Sequence, residues 1–401
     1  MGIVTGAWRR TAAGAGLLSP DGNVASTIFA EISALAARTG AANLGQGFPD
    51  AAAPAEVLEA ARSAIARGHN QYAPGRGEAG LLQAIAQHQQ RFYGLPLDPE
   101  REIVVTAGAT EAIAATLLAL IDSPHDEVVV FEPFYDSYAA VVALAGATLR
   151  TVPLRLPDFQ PDHDELAAAV TDRTRIILVN DPHNPTGTVF DRATQELIVE
   201  LAHRHDAIIV TDEVYEHLTF TGPHVPLATL PGAAERTLTI SSAGKTFSVT
   251  GWKIGWIHGP APLITAVLTV KQFLTYTNGT PFQQAVAVGL GLDDAFFAAA
   301  REQMISKHRM LHDGLTAAGF TVYAPQGGYF TVTDAAGVGG TDADTFCRAL
   351  PERMGVAAIP LTAFVTERNR HLYASLVRFA ACKSAEVIDE AMRRLSGMRR
   401  A

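Results

Sequence analysis

Short apolar and β-branched runs alternate with segments of helical periodicity through the middle of this chain. Buried strands are predicted by EIVVTAG (102–108), DEVVVF (126–131), RIILVN (175–180) and AIIVTDE (207–213), and a helix is predicted over 192–205. Strands that alternate with helices in this way form a mostly parallel sheet with helices packed against it. The pattern therefore predicts an α/β fold with a three-layer large domain.

The pattern changes after about residue 281. A long helical region to about residue 318 precedes three strand-like runs, TVYAPQGGYFTVTD, VAAIPLTAF and SLVRFAAC, and a closing helix over 385–398, which together indicate a smaller α+β domain. An amphipathic helix over 26–37, behind a Ser/Thr cap, is expected to join it. The predicted division is a flexible leader (1–23), an N-terminal segment joining the small domain (24–50), a large domain (51–290) and a small C-terminal domain (291–401).

Polar side chains stand where several of the predicted strands end. Asn184, Asp212 and Tyr215 follow two of the buried runs, and Lys245 follows a third run, TLTIS. In mostly parallel sheets, ligands bind at the carboxyl ends of the strands. These four side chains are therefore expected to meet at one edge of the sheet.

Lys245 lies between two predicted core strands, in SSAGKTFSVTGWKIGW. An ammonium group is costly to bury unless it is paired or neutralised, so this position favours covalent chemistry. Ser242 and Lys253 add a hydroxyl and a second cation that suit a phosphate, and the helix start at 108–110 offers free N–H groups to an anion. A reactive lysine beside a phosphate site is typical of a pyridoxal phosphate enzyme, although S-x-x-K alone is more often a surface loop.

The composition excludes several classes of function. A net charge of −10 over 401 residues, without a basic run, makes nucleic acid and anionic membrane surfaces unsuitable partners. No stretch reaches the roughly 18 apolar residues of a membrane span. The two cysteines, Cys347 and Cys382, provide no disulfide framework and lack metal-site spacing, so no metal ligand is predicted and the cytoplasm is the expected compartment.

Further motifs follow one another along the chain in a characteristic order: NLGQGFPD, NQYAPGRG, VTAGATEA, EPFYDSY, NDPHNPTG, TDEVYEHL, SSAGKTFSVTGWKIGW, GGYF and VRFA. Together they resemble the fold type I pyridoxal phosphate-dependent aminotransferases of class I/II, over nearly the whole chain from about Ser26. Within that family the chain is most similar to the branch of kynurenine aminotransferase, glutamine transaminase K, methionine aminotransferase and N-succinyldiaminopimelate aminotransferase. The resemblance implies pyridoxal 5'-phosphate as the cofactor, bound by the large domain.

The resemblance also implies roles around the ring of that cofactor. Lys245 would form the internal aldimine and later move the proton between Cα and the cofactor. Asp212 would face the pyridine nitrogen and keep it protonated. Asn184 and Tyr215 would hydrogen-bond the phenolic oxygen, and Tyr135 would stack on the ring.

At the other end of the cofactor, the resemblance implies a phosphate site and a second subunit. The phosphate would be held by the side chains of Ser242 and Lys253, the backbone of Gly108, Ala109 and Thr110, and Tyr72 of a neighbouring copy. A tyrosine shared in this way implies a two-fold homodimer with two shared active sites.

The substrate is expected to be an amino acid, with a 2-oxo acid as the acceptor. Arg378 would bind the α-carboxylate bidentately, helped by Gly47 and Asn184. The expected walls of the side-chain pocket are Phe29, Tyr72, Tyr276 and Thr277. Because the segments STIFAEIS and TYTNGT carry no cation, a large neutral or aromatic L-amino acid is the predicted donor.

Alternatives to this donor stay open. Arg76, in the NQYAPGRG loop, would suit a distal carboxylate, and the enzyme would then be the N-succinyldiaminopimelate aminotransferase of lysine biosynthesis. The same scaffold also supports β-elimination from cysteine S-conjugates. A non-catalytic sensor domain is a remote alternative, because the segment before Ser26 is too short for a helix-turn-helix module.

Three further residues are interpreted as packing or capping groups, namely Glu111, His183 and Cys382.

Overall fold

The computed structural model describes residues 6–19 and 21–398. Its strands are β1 (Ala42–Asn43), β2 (Ile103–Thr106), β3 (Glu127–Glu132), β4 (Thr148–Arg155), β5 (Gln160–Pro161), β6 (Thr174–Asn180), β7 (Ile208–Asp212), β8 (Thr237–Ser242), β9 (Gly255–His258), β10 (Thr321–Tyr323), β11 (Phe330–Asp334), β12 (Val356–Ala357), β13 (Ile359–Pro360) and β14 (Leu376–Ala380). Its α-helices are α1 (Ala7–Gly14), α2 (Ile28–Thr39), α3 (Ala55–Ala66), α4 (Ala79–Tyr93), α5 (Gly108–Leu120), α6 (Ser137–Ala145), α7 (His163–Ala169), α8 (Arg192–Arg204), α9 (Ala243–Thr246), α10 (Ala261–Lys271), α11 (Thr280–Leu290), α12 (Asp294–Ala318), α13 (Ala343–Met354) and α14 (Ala385–Leu395).

The central sheet has the strand order β2-β9-β8-β7-β6-β3-β4-β5. Its middle strands, from β8 through β7, β6 and β3 to β4, are parallel, whereas β9 runs antiparallel to both neighbours and β5 runs antiparallel to β4. The predicted mostly parallel sheet is confirmed. Because β6, β7 and β8 run in the same direction, the residues that follow them gather at one edge of the sheet.

Helices cover both faces of this sheet. Neighbouring side chains of β3 point to opposite faces, so Val129 belongs to one core with Ile198 of α8, and Val128 belongs to another with Ile113 of α5. Burial on both faces explains why these strands are continuously apolar. None of the helices within residues 6–19 and 21–398 is both long and apolar enough to cross a membrane.

A smaller sheet lies in the C-terminal part of the chain. Its strands follow the order β10-β11-β14-β13 and are antiparallel throughout. Separately, β1 pairs with β12 in parallel, with Ala42 opposite Val356. This pairing supports the proposed division, in which residues 24–50 join residues 291–401.

Several helices differ in detail from the sequence prediction. The helix expected from residue 26 begins at Ile28, because the side chain of Thr27 caps it by accepting a hydrogen bond from the Ala30 amide. The single helical region expected up to Ala318 is two helices, α11 and α12, separated where Gly291 ends the first. Helices α4, α6, α7 and α10 have no counterpart in the sequence prediction.

The N-terminal leader also differs from the expectation that residues 1–23 are flexible. Residues 7–14 form α1, which packs closely on α6: a Cβ atom on Gly14 would stand 2.5 Å from the Cβ of Ala143 and 2.7 Å from the carbonyl oxygen of Ala139. Small residues on both helices allow this approach. Because residues 7–14 carry few apolar side chains, the sequence pattern does not predict α1. Residues 1–5 and 20 of the predicted leader lie outside the described residues.

Replacing Gly14 with alanine should destabilise the protein, because the added methyl group would overlap α6. Overpacking of this kind costs about 1–3 kcal/mol, which thermal unfolding measures. Gly80→Ala is the matched control in another helix, since no atom lies within 4 Å of a Cβ atom there, and it should be neutral or slightly stabilising. Equal unfolding midpoints for the two variants would contradict the packing of α1 on α6.

Candidate active site

A cavity of about 190 Å³ lies at the carboxyl edge of the central sheet. It is lined by Gly108, Ala109, Thr110, Tyr135, Asn180, Asn184, Asp212, Val214, Tyr215, Ser242, Gly244, Lys245, Thr250 and Lys253. The residues predicted to bind a cofactor all lie in this lining, with the exception of Tyr72. The strand ends therefore bring together side chains from five separate stretches of the chain.

Lys245 lies on the one-turn helix α9 rather than in an open turn between strands. Ser242 ends β8 and caps this helix, since its Oγ accepts a hydrogen bond from the Gly244 amide at 3.2 Å. The Nζ of Lys245 donates to the carbonyl oxygen of Gly47 at 3.0 Å, and the hydroxyl of Tyr329 donates to the carbonyl oxygen of Lys245 at 2.7 Å. Burial lowers the pKa of Lys245, which favours the neutral, nucleophilic amine.

Asp212 presents a carboxylate to the same cavity. Its Oδ2 accepts a hydrogen bond from the hydroxyl of Tyr138 at 2.6 Å, whereas its buried Oδ1 has no hydrogen-bond partner among the described residues. Burial raises the pKa of Asp212 to about 6, and the bond from Tyr138 opposes that rise. A buried acceptor atom with no protein partner suits a ligand that brings an N–H group or a positive charge.

Two asparagines fix the ends of β6 and β7 relative to each other. The side-chain amide of Asn180 donates to the backbone oxygen of Asp212 at 2.7 Å, and its Oδ1 accepts from the amide of Asn184 at 2.7 Å. Tyr215 is fully buried, and burial raises the pKa of its hydroxyl well above the ordinary value. Its phenol is therefore protonated and able to donate a hydrogen bond.

The start of α5 forms the opposite end of the cavity. Gly108 has a positive φ of 73°, and a Cβ atom there would meet the Nζ of Lys253 at 3.1 Å. Free N–H groups at a helix start, beside a lysine amine, form an anion site. Glu111 accepts a hydrogen bond from the Ala107 amide at 2.6 Å, which agrees with its interpretation as a capping residue.

Arg378 is buried on β14 and joins the small sheet to this edge of the large one. Its guanidinium donates to the Oδ1 of Asn184 at 3.0 Å and to the carbonyl oxygen of Gly45 at 2.8 Å, while its Nε has no partner in the described part of the chain. The rings of Phe330 and Phe364 lie 3.9 and 4.5 Å from it. These contacts hold a cation in place with donor groups left for a carboxylate.

Gly47 and Phe29, two further residues predicted to bind substrate, lie beside Arg378. A Cβ atom on Gly47 would meet the ring of Phe330 at 2.5 Å, so glycine is required there. The ring of Phe29 lies 5.7 Å from the Arg378 guanidinium and 5.3 Å from the ring of Phe364. Both residues therefore belong to the surroundings of the buried arginine.

The remaining predicted pocket residues do not reach this cavity within one chain. Tyr72 is 82% exposed and packs edge-on against Tyr276, with ring centroids 5.6 Å apart. Tyr72 and Thr277 line a separate surface pocket with residues 278–281. Arg76 also lies outside this cavity, and its Nη1 donates to the backbone oxygen of Ile103 at 2.9 Å.

Several groups of the site were not predicted from the sequence, namely Tyr138, Asn180, Val214, Thr250 and Tyr329. Tyr138 stands three residues after Tyr135 and lies on the first turn of α6, which Tyr135 just precedes. His183 is buried and pairs with the hydroxyl of Thr186 at 2.8 Å, as its interpretation as a turn residue requires. Cys382 is buried too.

The sheet, the buried lysine and the anion site at a helix start define a class of enzyme. The model of the family Aminotransferase class I and II matches residues 39–395, and the chain belongs to this family. Its members use pyridoxal 5'-phosphate, so the protein is a pyridoxal phosphate-dependent aminotransferase acting on an amino acid and a 2-oxo acid.

Individual relatives share most of the chain. The probable N-succinyldiaminopimelate aminotransferase DapC of Mycobacterium tuberculosis is 51% identical over 382 residues, covering 93% of this chain and 96% of that protein. The methionine aminotransferase of Escherichia coli is 38% identical, covering 92% and 95%. The solved structure of N-succinyldiaminopimelate aminotransferase from Mycobacterium tuberculosis has a TM-score of 0.90 at 52% identity, covering 93% of this chain and 97% of that chain.

The cavity fits pyridoxal phosphate on three observations of this structure. The unpartnered Oδ1 of Asp212 suits a protonated pyridine nitrogen. The space that a Cβ atom on Gly108 would fill, next to the Nζ of Lys253, suits a phosphate. The amine of Lys245 lines the same cavity and suits an aldehyde.

Tyr138→Phe should weaken cofactor binding roughly tenfold, the effect of losing a hydrogen bond to a buried charged group. Because the Tyr138 bond lowers the pKa of Asp212, its loss raises that pKa, and the acid limb of cofactor affinity should move to higher pH. Fluorescence titration of the cofactor-free protein across pH measures both effects.

The matched control is Tyr373→Phe, whose buried hydroxyl donates to the backbone oxygens of Glu132 and Leu154, which do not line the cavity. This variant should lose stability without a change in cofactor affinity. An unshifted pH profile in Tyr138→Phe would show that Tyr138 does not hold the charge on Asp212.

Proposed function

We propose that the enzyme transfers the amino group of N-succinyldiaminopimelate to a 2-oxo acid. The observation that carries this proposal is the 51% identity to the Mycobacterium tuberculosis protein of that name, which extends over nearly all of both chains. The methionine aminotransferase of Escherichia coli and the mouse kynurenine–oxoglutarate transaminase 3 cover similar lengths at 38% and 36% identity.

In this proposal Lys245 carries the cofactor and moves the proton. Pyridoxal phosphate, when bound, supplies the aldehyde that takes up the amino group and a ring that accepts the electron pair left at the substrate Cα. Burial favours the neutral amine of Lys245, which would hold the cofactor at its aldehyde carbon with loss of water and would afterwards take the proton from the substrate Cα. Asp212 would keep the ring nitrogen protonated, and Asn184 and Tyr215 would bind the phenolic oxygen.

We assign the α-carboxylate of both substrates to Arg378. Its side chain is held by the carbonyl oxygen of Gly45, by Asn184 and by the faces of two phenylalanine rings, so little conformational entropy is lost when a carboxylate binds. Burial lowers the pKa of Arg378 to about 10, which leaves it cationic at neutral pH. The same site then serves the amino acid and the 2-oxo acid in turn.

We further propose a homodimer that shares its active sites. Tyr72 and Phe273 are 82% and 86% exposed, and large exposed aromatic side chains of this kind mark an interaction surface. The loops that carry them are joined by Lys271, whose Nζ donates to the backbone oxygens of Gly75 and Tyr276. A second copy bound there would place a Tyr72 at the phosphate end of the neighbouring cavity.

A large neutral or aromatic donor is the second candidate. The rings of Phe29, Phe330 and Phe364 surround the guanidinium of Arg378 and provide apolar surface beside the α-carboxylate site. Arg76, the cation predicted for a distal carboxylate, lies outside the cavity and is held against the backbone of β2 by its Nη1, so we assign it no role in donor binding within one chain.

A panel of donors with 2-oxoglutarate as acceptor separates the two candidates. The kcat/KM of N-succinyl-L,L-diaminopimelate should exceed those of kynurenine, methionine and glutamine by at least about tenfold, a difference of roughly 1.4 kcal/mol in transition-state binding. Arg76→Ala is the matched control and should change all donors alike. Should kynurenine or methionine prove the best donor, the second candidate replaces the first.

A further inference from the structure

A second cluster of chemically active side chains follows Tyr215 along the chain. The Nε2 atom of His217 lies 2.8 Å from the Nε2 atom of His88, which is on α4. The ligand atoms of His88, Glu216 and His217 all lie within 4.8 Å of one another. Three potential metal ligands thus converge at a place that the amino-transfer reaction does not use.

The surroundings of this cluster hold buried polar atoms that lack protein partners. The Oε1 of Gln89 and the Nδ1 of His224 are buried without a hydrogen bond within residues 6–19 and 21–398. Both residues adjoin the cluster: Gln89 contacts Glu216, and His224 lines the same cavity as Glu216 and His217. Such atoms are uncommon in folded proteins, and their concentration indicates a site for an ion with its bound water.

Among the residues that the structure describes, no lysine or arginine donates to the carboxylate of Glu216. The hydrogen bonds to its carboxylate come from the hydroxyl of Ser241 and the side-chain amide of Gln89, both neutral groups. The neighbouring carboxylate of Glu213, by contrast, is paired with His224 at 2.8 Å. A buried carboxylate is costly without a positive partner, and a divalent cation supplies one.

A route from solvent leads to the cluster. A cavity of about 240 Å³ is lined by Glu216, His217 and His224, and its wall includes the mostly exposed Asp294. The apolar side of this cavity is formed by Phe92 and Phe297. An ion can therefore reach Glu216 and His217 from this cavity, whereas His88 is buried and does not line it.

We propose that the Nε2 atoms of His88 and His217 and a carboxylate oxygen of Glu216 bind one divalent transition-metal ion, with Zn²⁺ as the best chemical match. Two imidazoles, one carboxylate and one open position form a familiar zinc ligand set. Tetrahedral binding at the usual Zn–N distance of about 2.0–2.1 Å requires the two nitrogens to separate by about 0.5 Å, which small ring movements provide.

The role of this site is to fix the segment that presents Asp212 and Tyr215 to the cofactor cavity. The ion joins α4 to residues 216 and 217, which directly follow Tyr215. It does not touch the reacting atoms, so it acts on stability and positioning. The inference rests on this cluster alone and holds whichever amino donor the enzyme uses.

The test is metal binding by the purified holoenzyme after chelator treatment, followed by Zn²⁺ addition and removal of the excess. Elemental analysis should find one zinc per chain in the wild type, and thermal unfolding should shift upward by several degrees with Zn²⁺. His88→Gln and His217→Gln should each lose the ion and the thermal shift. His308→Gln is the matched control, since this histidine is equally buried but binds Thr331 and Gly328 instead.

Two outcomes would overturn the proposal: a wild type that retains no more zinc than His88→Gln, or variants that retain it as well as His308→Gln does. Either result would leave the histidines as a hydrogen-bonded pair without an ion. Should His88→Gln fail to fold, addition of Co²⁺ to the wild type tests instead whether the three side chains bind a metal ion. The ligand-field absorption of four-coordinate Co²⁺ supports the site, and its absence rejects it.

Discussion

The amine of Lys245 is buried beneath the carboxyl edge of the central sheet. The desolvation free energy of a charged amine is large, and it determines which groups can surround Lys245. Its hydrogen bond to the carbonyl oxygen of Gly47 satisfies the amine without forcing a charge on it. Asp212 is subject to the same desolvation, which raises its pKa to about 6, and the hydroxyl of Tyr138 opposes that rise. An amine with a lowered pKa and a carboxylate with a free oxygen are thereby present before any ligand binds.

The same edge couples the two sheets of the molecule. Arg378 belongs to the antiparallel sheet, yet its hydrogen bonds go to Asn184, which follows β6, and to Gly45, near β1. The cation of Arg378 is therefore positioned by the docking of one part of the fold on the other. A movement between the two parts would change the distance from Arg378 to Lys245.

Lys245, Asp212 and Asn184 line one cavity, as the sequence predicts, because parallel strands place their carboxyl ends at the same edge of the sheet. The positions of strand ends do not reveal contacts that depend on the direction of a side chain. Arg76 stands in an exposed, glycine-rich loop, yet its guanidinium turns back onto the carbonyl oxygen of Ile103. His88 and His217 are 129 residues apart, so no local spacing reveals their contact.

Chemical trapping of the cofactor tests whether Lys245 is the residue that carries pyridoxal phosphate. Borohydride reduction of the yellow holoenzyme, followed by peptide mass spectrometry, identifies the lysine that carries pyridoxal phosphate. The structure predicts a single stable adduct, on Lys245, because its amine lines the same cavity as Asp212 and burial lowers its pKa. An adduct on Lys253, or no adduct at all, would contradict the assignment of Lys245 as the residue that carries the cofactor.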